Sequence, residues 1–106
     1  MKFNIQALMD QAQQMQKEIE RLKEEANKKI TEAESGGGMV KVVMNGEHQV
    51  VNLKISPEIV DKNEIEMLED LIVAAVNKAS KSATELVANE MNKANSMLPN
   101  IPGLGL

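Results

Sequence analysis

Val40-Lys41-Val42-Val43-Met44-Asn45-Gly46-Glu47-His48-Gln49-Val50-Val51-Asn52-Leu53-Lys54-Ile55, residues 40–55, decides the fold. Val40, Val42 and Met44 alternate with Lys41 and Val43. On the return, Val51, Leu53 and Ile55 alternate with Asn52 and Lys54. A period of two marks strands with one face buried. Between the runs stands Asn45-Gly46, a strong hairpin signal, because a two-residue loop needs positive φ at both positions. Met39 to Ile55 therefore reads as antiparallel β, and a third strand can be split off around His48 to Val50. His48 reads as an ordinary edge-strand residue, since no ligand or base partner is visible.

Upstream, Ser35-Gly36-Gly37-Gly38 reads as the end of a helix, because glycine accepts the left-handed C-cap conformation. A phosphate-cradling loop is not expected here: Gly-Lys-Ser/Thr is absent, and a strand follows. Residues 4–34 read as one long helix. Ile5, Leu8, Ala12, Met15, Ile19, Leu22 and Ala26 recur at spacings of three and four. That is a heptad seam with Ile5 at a and Leu8 at d. It slips at Lys29, and Ile30 and Ala33 resume it one residue late. Glu24–Lys28 and Glu25–Lys29 are i,i+4 pairs in the favourable order.

Downstream, Ser56-Pro57-Glu58 has the form of a helix start, with an N-cap serine and proline at the first position. That turn is short. A second long helix is predicted from about Glu64 to Asn95, with an apolar stripe of Leu68, Ile72, Ala75, Ala79, Ala83 and Leu86. Val76, Val87 and Ala94 widen it. The alanines would let a partner approach closely. Residues 98–106 carry two prolines and two glycines and read as a flexible tail. The chain is thus α+β: long helix, small antiparallel three-stranded sheet, long helix, in one domain over residues 1–97.

Composition narrows the function. The chain has 106 residues, 26% of them charged, and a net charge of −4. No apolar run reaches the ~18–20 residues that a membrane span needs, and the N-terminus has no signal-peptide pattern. Cysteine is absent, which removes thiol chemistry and cysteine metal sites and fits a cytoplasmic protein. Phe3 is the sole aromatic residue, so base-stacking platforms are excluded. A single histidine is too few for a histidine metal site or relay. These features argue against an enzyme, and no metal or cofactor is expected.

Length points to a homodimer. A helix of about 31 residues is ~46 Å long, whereas a compact chain of this size is roughly 33 Å across. One end must project with its apolar stripe, and such a stripe needs a partner. Ile5, Leu8, Met15, Ile19, Leu22, Leu68 and Ile72 are the candidate core and dimer residues. Acidity is local: residues 57–70 hold Lys62 against Glu58, Asp61, Glu64, Glu66, Glu69 and Asp70. Elsewhere the chain is slightly basic. Lys17, Arg21 and Lys28 lie opposite the seam, and Gln13 and Gln14 belong to a run able to hydrogen-bond phosphates or base edges. Lys81 lies on the second helix with Asn77 and Thr84, away from the alanine stripe. Taken alone, these faces also suit ordinary solvated surface.

In order and spacing, Leu8-Met9, Gln11-Ala12-Gln13-Gln14-Met15-Gln16, the glycines, Val40-Lys41-Val42, Asn45-Gly46 with His48, Ile55, Pro57, Met67-Leu68-Glu69-Asp70-Leu71, Ala74-Ala75, Asn77 and Ala79 form one pattern. It resembles the YbaB/EbfC family of bacterial nucleoid-associated proteins, over about residues 5–95. The resemblance implies a tweezer-like homodimer with projecting helices. It also implies duplex DNA binding, nucleoid association and a role in chromosome organisation or gene regulation. Two positions depart from the family: Ser56 where Asp is frequent before the proline, and Lys78 where Asp is frequent after the asparagine. Lys17, Arg21, Lys28, Lys78 and Lys81, assisted by Gln13 and Gln14, are the expected phosphate contacts. The competing readings are a prefoldin-like chaperone, which would need heptads in both helices, and an adaptor that binds other proteins.

Overall fold

A computed structural model describes residues 4–97. The expected tail at 98–106 and the side chains of Ala94 and Asn95 lie outside the described residues. Helix α1 spans Ile5–Lys28. Strands β1 (Ile30–Ser35), β2 (Val40–Asn45) and β3 (Val50–Ile55) follow, then a single 3-10 turn at Pro57–Ile59 and helix α2, Ile65–Met97. The strands pair antiparallel in chain order, β1-β2-β3.

Asn4 caps α1, its side-chain oxygen accepting from the Ala7 amide at 3.2 Å, a bond of the kind worth ~1 kcal/mol. The helix is shorter than the sequence reading gave. It ends at Lys28, and Lys29 is already extended (φ −69°, ψ 155°). The slip in the heptad at Lys29 is therefore a change of element. In β1, Thr31, Ala33 and Ser35 turn inward while Ile30, Glu32 and Glu34 face out. Pairing Ala33 with Val42 and Ser35 with Val40 overrides the helical tendency of this Glu-rich stretch. The Ser35 hydroxyl, buried, donates to the Leu71 carbonyl at 2.6 Å.

The glycines consequently form the β1–β2 turn and not a helix cap. Gly36, Gly37 and Gly38 have φ of 60°, 65° and 92°, a run of left-handed residues that side-chain-bearing residues avoid. The expected pairs Glu24–Lys28 and Glu25–Lys29 are also absent among the described residues. Glu25 instead pairs with Arg21 at 2.6 Å. Lys29, having left the helix, reaches Glu90 of α2 at 2.8 Å.

The β2–β3 connection departs from the expected two-residue loop. It runs from Gly46 to Gln49, and the left-handed residue in it is His48 (φ 65°). Asn45 organises the loop: its side-chain oxygen accepts from the amides of Glu47 (2.9 Å) and Gln49 (3.0 Å). Gly46 serves a different purpose, since its amide donates to the Asn27 and Lys29 carbonyls, both at 3.1 Å. A Cβ there would lie 2.7 Å from the Ala26 carbonyl oxygen. The third strand is thus not a fragment near His48; β1 supplies it from what was read as helix.

The core lies between α2 and the sheet. Val40, Val42 and Met44 of β2 meet Ala75, Ala79 and Ala83, all essentially inaccessible. The alanines bring the helix axis close to the strands. Ala33, Ile59, Leu68, Leu71, Ile72 and Val76 surround this contact. Helix α2 covers β1 and β2, so Val51 and Leu53 of β3 remain 57% and 43% exposed. Before α2, Asp61 receives the Asn63 amide on its side chain and the Glu64 amide on its carbonyl, both at 2.9 Å. Ser56 makes no capping bond.

Candidate nucleic-acid interface

Basic and glutamine side chains expected to meet phosphates fall on two separate elements. On α1, Gln13, Gln14, Lys17, Arg21 and Lys28 are all exposed. Lys17 and Lys28 are eleven residues apart, hence within ~20° of one another around the axis and ~16 Å apart along it. Arg21 differs from its neighbours. Its guanidinium binds Glu18 and also Glu25, the latter at 2.6 Å. The hydrogen bond to Glu18, followed by the two carboxylate charges, raises its pKa further, and the same contact lowers the Glu18 pKa. Arg21 thus carries little uncompensated charge, whereas Lys17 and Lys28 have no carboxylate within ion-pair distance among the described residues.

On α2, Lys81 is exposed, and Lys78 donates to the Glu34 carbonyl at the end of β1 (3.3 Å). Lys28 adjoins the opposite end of that strand. Six residues of strand are ~20 Å long, so the structure does not gather the α1 and α2 bases into one patch. The seam residues show a gradient. Ile5 and Leu8 are 67% and 56% exposed and Ile19 37%, while Met15 and Leu22 are partly covered and Ala26 is buried. Leu68 and Ile72 pack against the core.

Sequence reading missed several tertiary links. His48 Nε2 lies 2.9 Å from Thr84 Oγ1, tying the β2–β3 loop to α2. Glu90 holds Lys29 and, at 3.6 Å, Lys93; the hydrogen bond from Lys29 is the main cause of its lowered pKa. Lys41 and Lys54 stand directly opposite one another across β2 and β3. Only that last pair left a signal in the sequence, and it needed the correct loop length to be seen. Among the described residues no three carboxylates or imidazoles converge as metal ligands, and no described helix is long and apolar enough to cross a membrane.

Comparison with known proteins assigns this architecture. The YbaB/EbfC DNA-binding family matches residues 1–98. A nucleoid-associated protein of Thermoanaerobacter pseudethanolicus is 52% identical over 102 residues, covering 96% of this chain and 91% of the relative. A nucleoid-associated protein of Acetivibrio thermocellus is 48% identical over 101 residues, covering 95% and 89%. The crystal structure of an uncharacterized protein from Helicobacter pylori is similar, with a TM-score of 0.68 and 30% identity over 92% of this chain and all of that one. Matched along nearly its whole length in both sequence and fold, the chain belongs to the YbaB/EbfC DNA-binding family.

Proposed function

We propose that the protein binds duplex DNA as a homodimer, mainly through phosphate contacts from its long helices, and acts in the nucleoid in chromosome organisation or gene regulation. The observation that carries this reading is helix α1. Its free end exposes apolar Ile5 and Leu8, while Lys17 and Lys28, nearer the sheet and on the opposite side of the same helix, have no carboxylate within ion-pair distance among the described residues. The basic side suits a polyanion, and the apolar side calls for a second protein surface. The free edge of β3, with Val50, Val51 and Leu53 exposed, adds to the area a second copy would cover.

Lys78 and Lys81 extend the contact along α2, and Gln13 and Gln14 supply neutral donors. Arg21, its charge already balanced by Glu18 and Glu25, contributes less than the lysines. If two or three bases engage per subunit, the dimer neutralises roughly four to six phosphates, and log K against log salt has a slope of about −4 to −5. Gel-shift titration with random and genomic duplexes over a salt series tests this. Charge reversal at Lys17 and Lys28 together should weaken binding on all duplexes alike. A slope near zero, or full affinity in that variant, would move the interface elsewhere.

A further inference from the structure

The outward face of the sheet carries a second basic feature that the helices do not share. Lys41 and Lys54 are register partners across β2 and β3, so their Cβ atoms are about 5 Å apart, and like charges so placed destabilise a sheet. Both side chains are exposed, and neither has a carboxylate within ion-pair distance among the described residues. They border a cavity of about 240 Å³ whose other walls are Gly38, Met39, Ile55, Ser56 and Pro57. Its backbone is already paired, the Ser56 amide donating to the Met39 carbonyl at 2.8 Å. The Ser56 hydroxyl makes no capping bond.

We propose that this cavity is a phosphate-binding site, with the Lys41 and Lys54 ammonium groups and the Ser56 hydroxyl as its donors. Two ammonium groups held side by side offset their mutual repulsion by sharing one oxyanion. Met39, Ile55 and Pro57 complete the walls. The volume lies below the ~300–1,000 Å³ of sites that enclose drug-sized ligands, which favours a phosphate group over a whole nucleotide. Glu34, the register partner of Lys41 on β1, opposes the anion from one side. Its carboxylate lies over Gly38, 3.5 Å from where a Cβ would stand. Duplex backbone as the source of the phosphate rests on the DNA-binding reading above; the phosphate chemistry does not.

The test pairs two measurements on the full chain: amide NMR shifts on titration with inorganic phosphate against chloride at equal ionic strength, and the salt slope of DNA binding. Phosphate should shift the amides of Lys41, Lys54 and Ser56 beyond the chloride control. The double substitution Lys41→Gln/Lys54→Gln should abolish those shifts and raise the melting temperature, while Glu34→Gln should tighten phosphate binding. If the backbone is the source, the double variant also binds duplex severalfold more weakly, its slope reduced by about 0.9 per subunit. Phosphate shifts with an unchanged DNA slope would support the site with free phosphate as its source. Absence of phosphate-specific shifts together with an unchanged slope would overturn it. If the wild-type chain fails to bind duplex, the helix reading falls, and the phosphate titration still decides this one.

Discussion

Two glycine positions do different work. Gly37 has φ 65°, yet a Cβ there would meet nothing within 4 Å; its demand is conformational, ~1–2 kcal/mol for an L-residue. Gly46 has no left-handed φ, but a Cβ would press on the Ala26 carbonyl and on Val87. Carbonyl and helix end must shift to admit it, an overpacking cost of ~1–3 kcal/mol or more. Gly46→Ala should therefore melt at least as far below wild type as Gly37→Ala, by roughly 4–8 °C per kcal/mol, on circular dichroism. A Gly46→Ala melting curve matching wild type would show that α1 does not seat on the turn. Arg21 gives a second prediction at this scale. Arg21→Gln should cost less DNA affinity than Lys17→Gln, because Glu18 and Glu25 already balance its charge. Equal losses in a gel-shift titration would mean that the guanidinium leaves its carboxylates on binding.

At the scale of elements, the link between Lys29 and Glu90 joins the start of the sheet to α2. The hydrogen bond from Lys29 holds the Glu90 carboxyl below its ordinary value, so folding favours the anion. Its contribution is therefore present above the usual glutamate pKa of about 4.3 and is lost as pH falls below it. Glu90→Gln should flatten the fall in melting temperature between pH 6 and pH 3 relative to wild type. An identical pH profile would mean the contact is too exposed to matter. The two long helices, the buried alanines and the inward Val40, Val42 and Met44 were legible because each follows a period set by its own element. The strand Ile30–Ser35 was not. Its alternation is Thr31, Ala33 and Ser35 against Ile30, Glu32 and Glu34, so neither face is plainly apolar, and only pairing with β2 makes it a strand. The loop hid more. A two-residue turn at Asn45-Gly46 would place Lys41 opposite Val50, whereas the observed register places it opposite Lys54. From Val40 to Val43 the slip is four residues, an even number that keeps the inward residues inward, so the core survived the error and the lysine pair did not. On α1 the spacing located Lys17 and Lys28, but local ion pairing, which set Arg21 apart, depends on rotamers that spacing does not specify.

At the scale of the whole molecule, the radius of gyration is 21.1 Å with extents of 78 × 20 × 17 Å, against ~13 Å for a compact chain of this length. Burial along α1 falls from Ala26 toward Ile5. In a single chain, removing Ile5 and Leu8 side chains would change little. In a dimer that covers them, Ile5→Ser/Leu8→Ser should raise the dissociation constant while leaving the circular dichroism spectrum intact. Light scattering after size exclusion checks this, wild type giving twice the 11.6 kDa chain mass and the variant drifting toward one. A wild-type mass of one chain at micromolar concentration would overturn the dimer.

The strand order β1-β2-β3 repeats the order of the chain, and this has a kinetic consequence. Every strand closes on its sequence neighbour through a loop of four residues, and α2 folds back onto strands just made. Such local closures are fast, with hairpins forming in ~1–10 μs. In the proposed homodimer two subunits must still find one another, and that encounter is bimolecular. Refolding from denaturant should therefore show an early phase independent of protein concentration and a later one whose rate rises with it. In a cell, newly made chains would wait as folded halves, and the supply of working dimer would follow the square of their abundance.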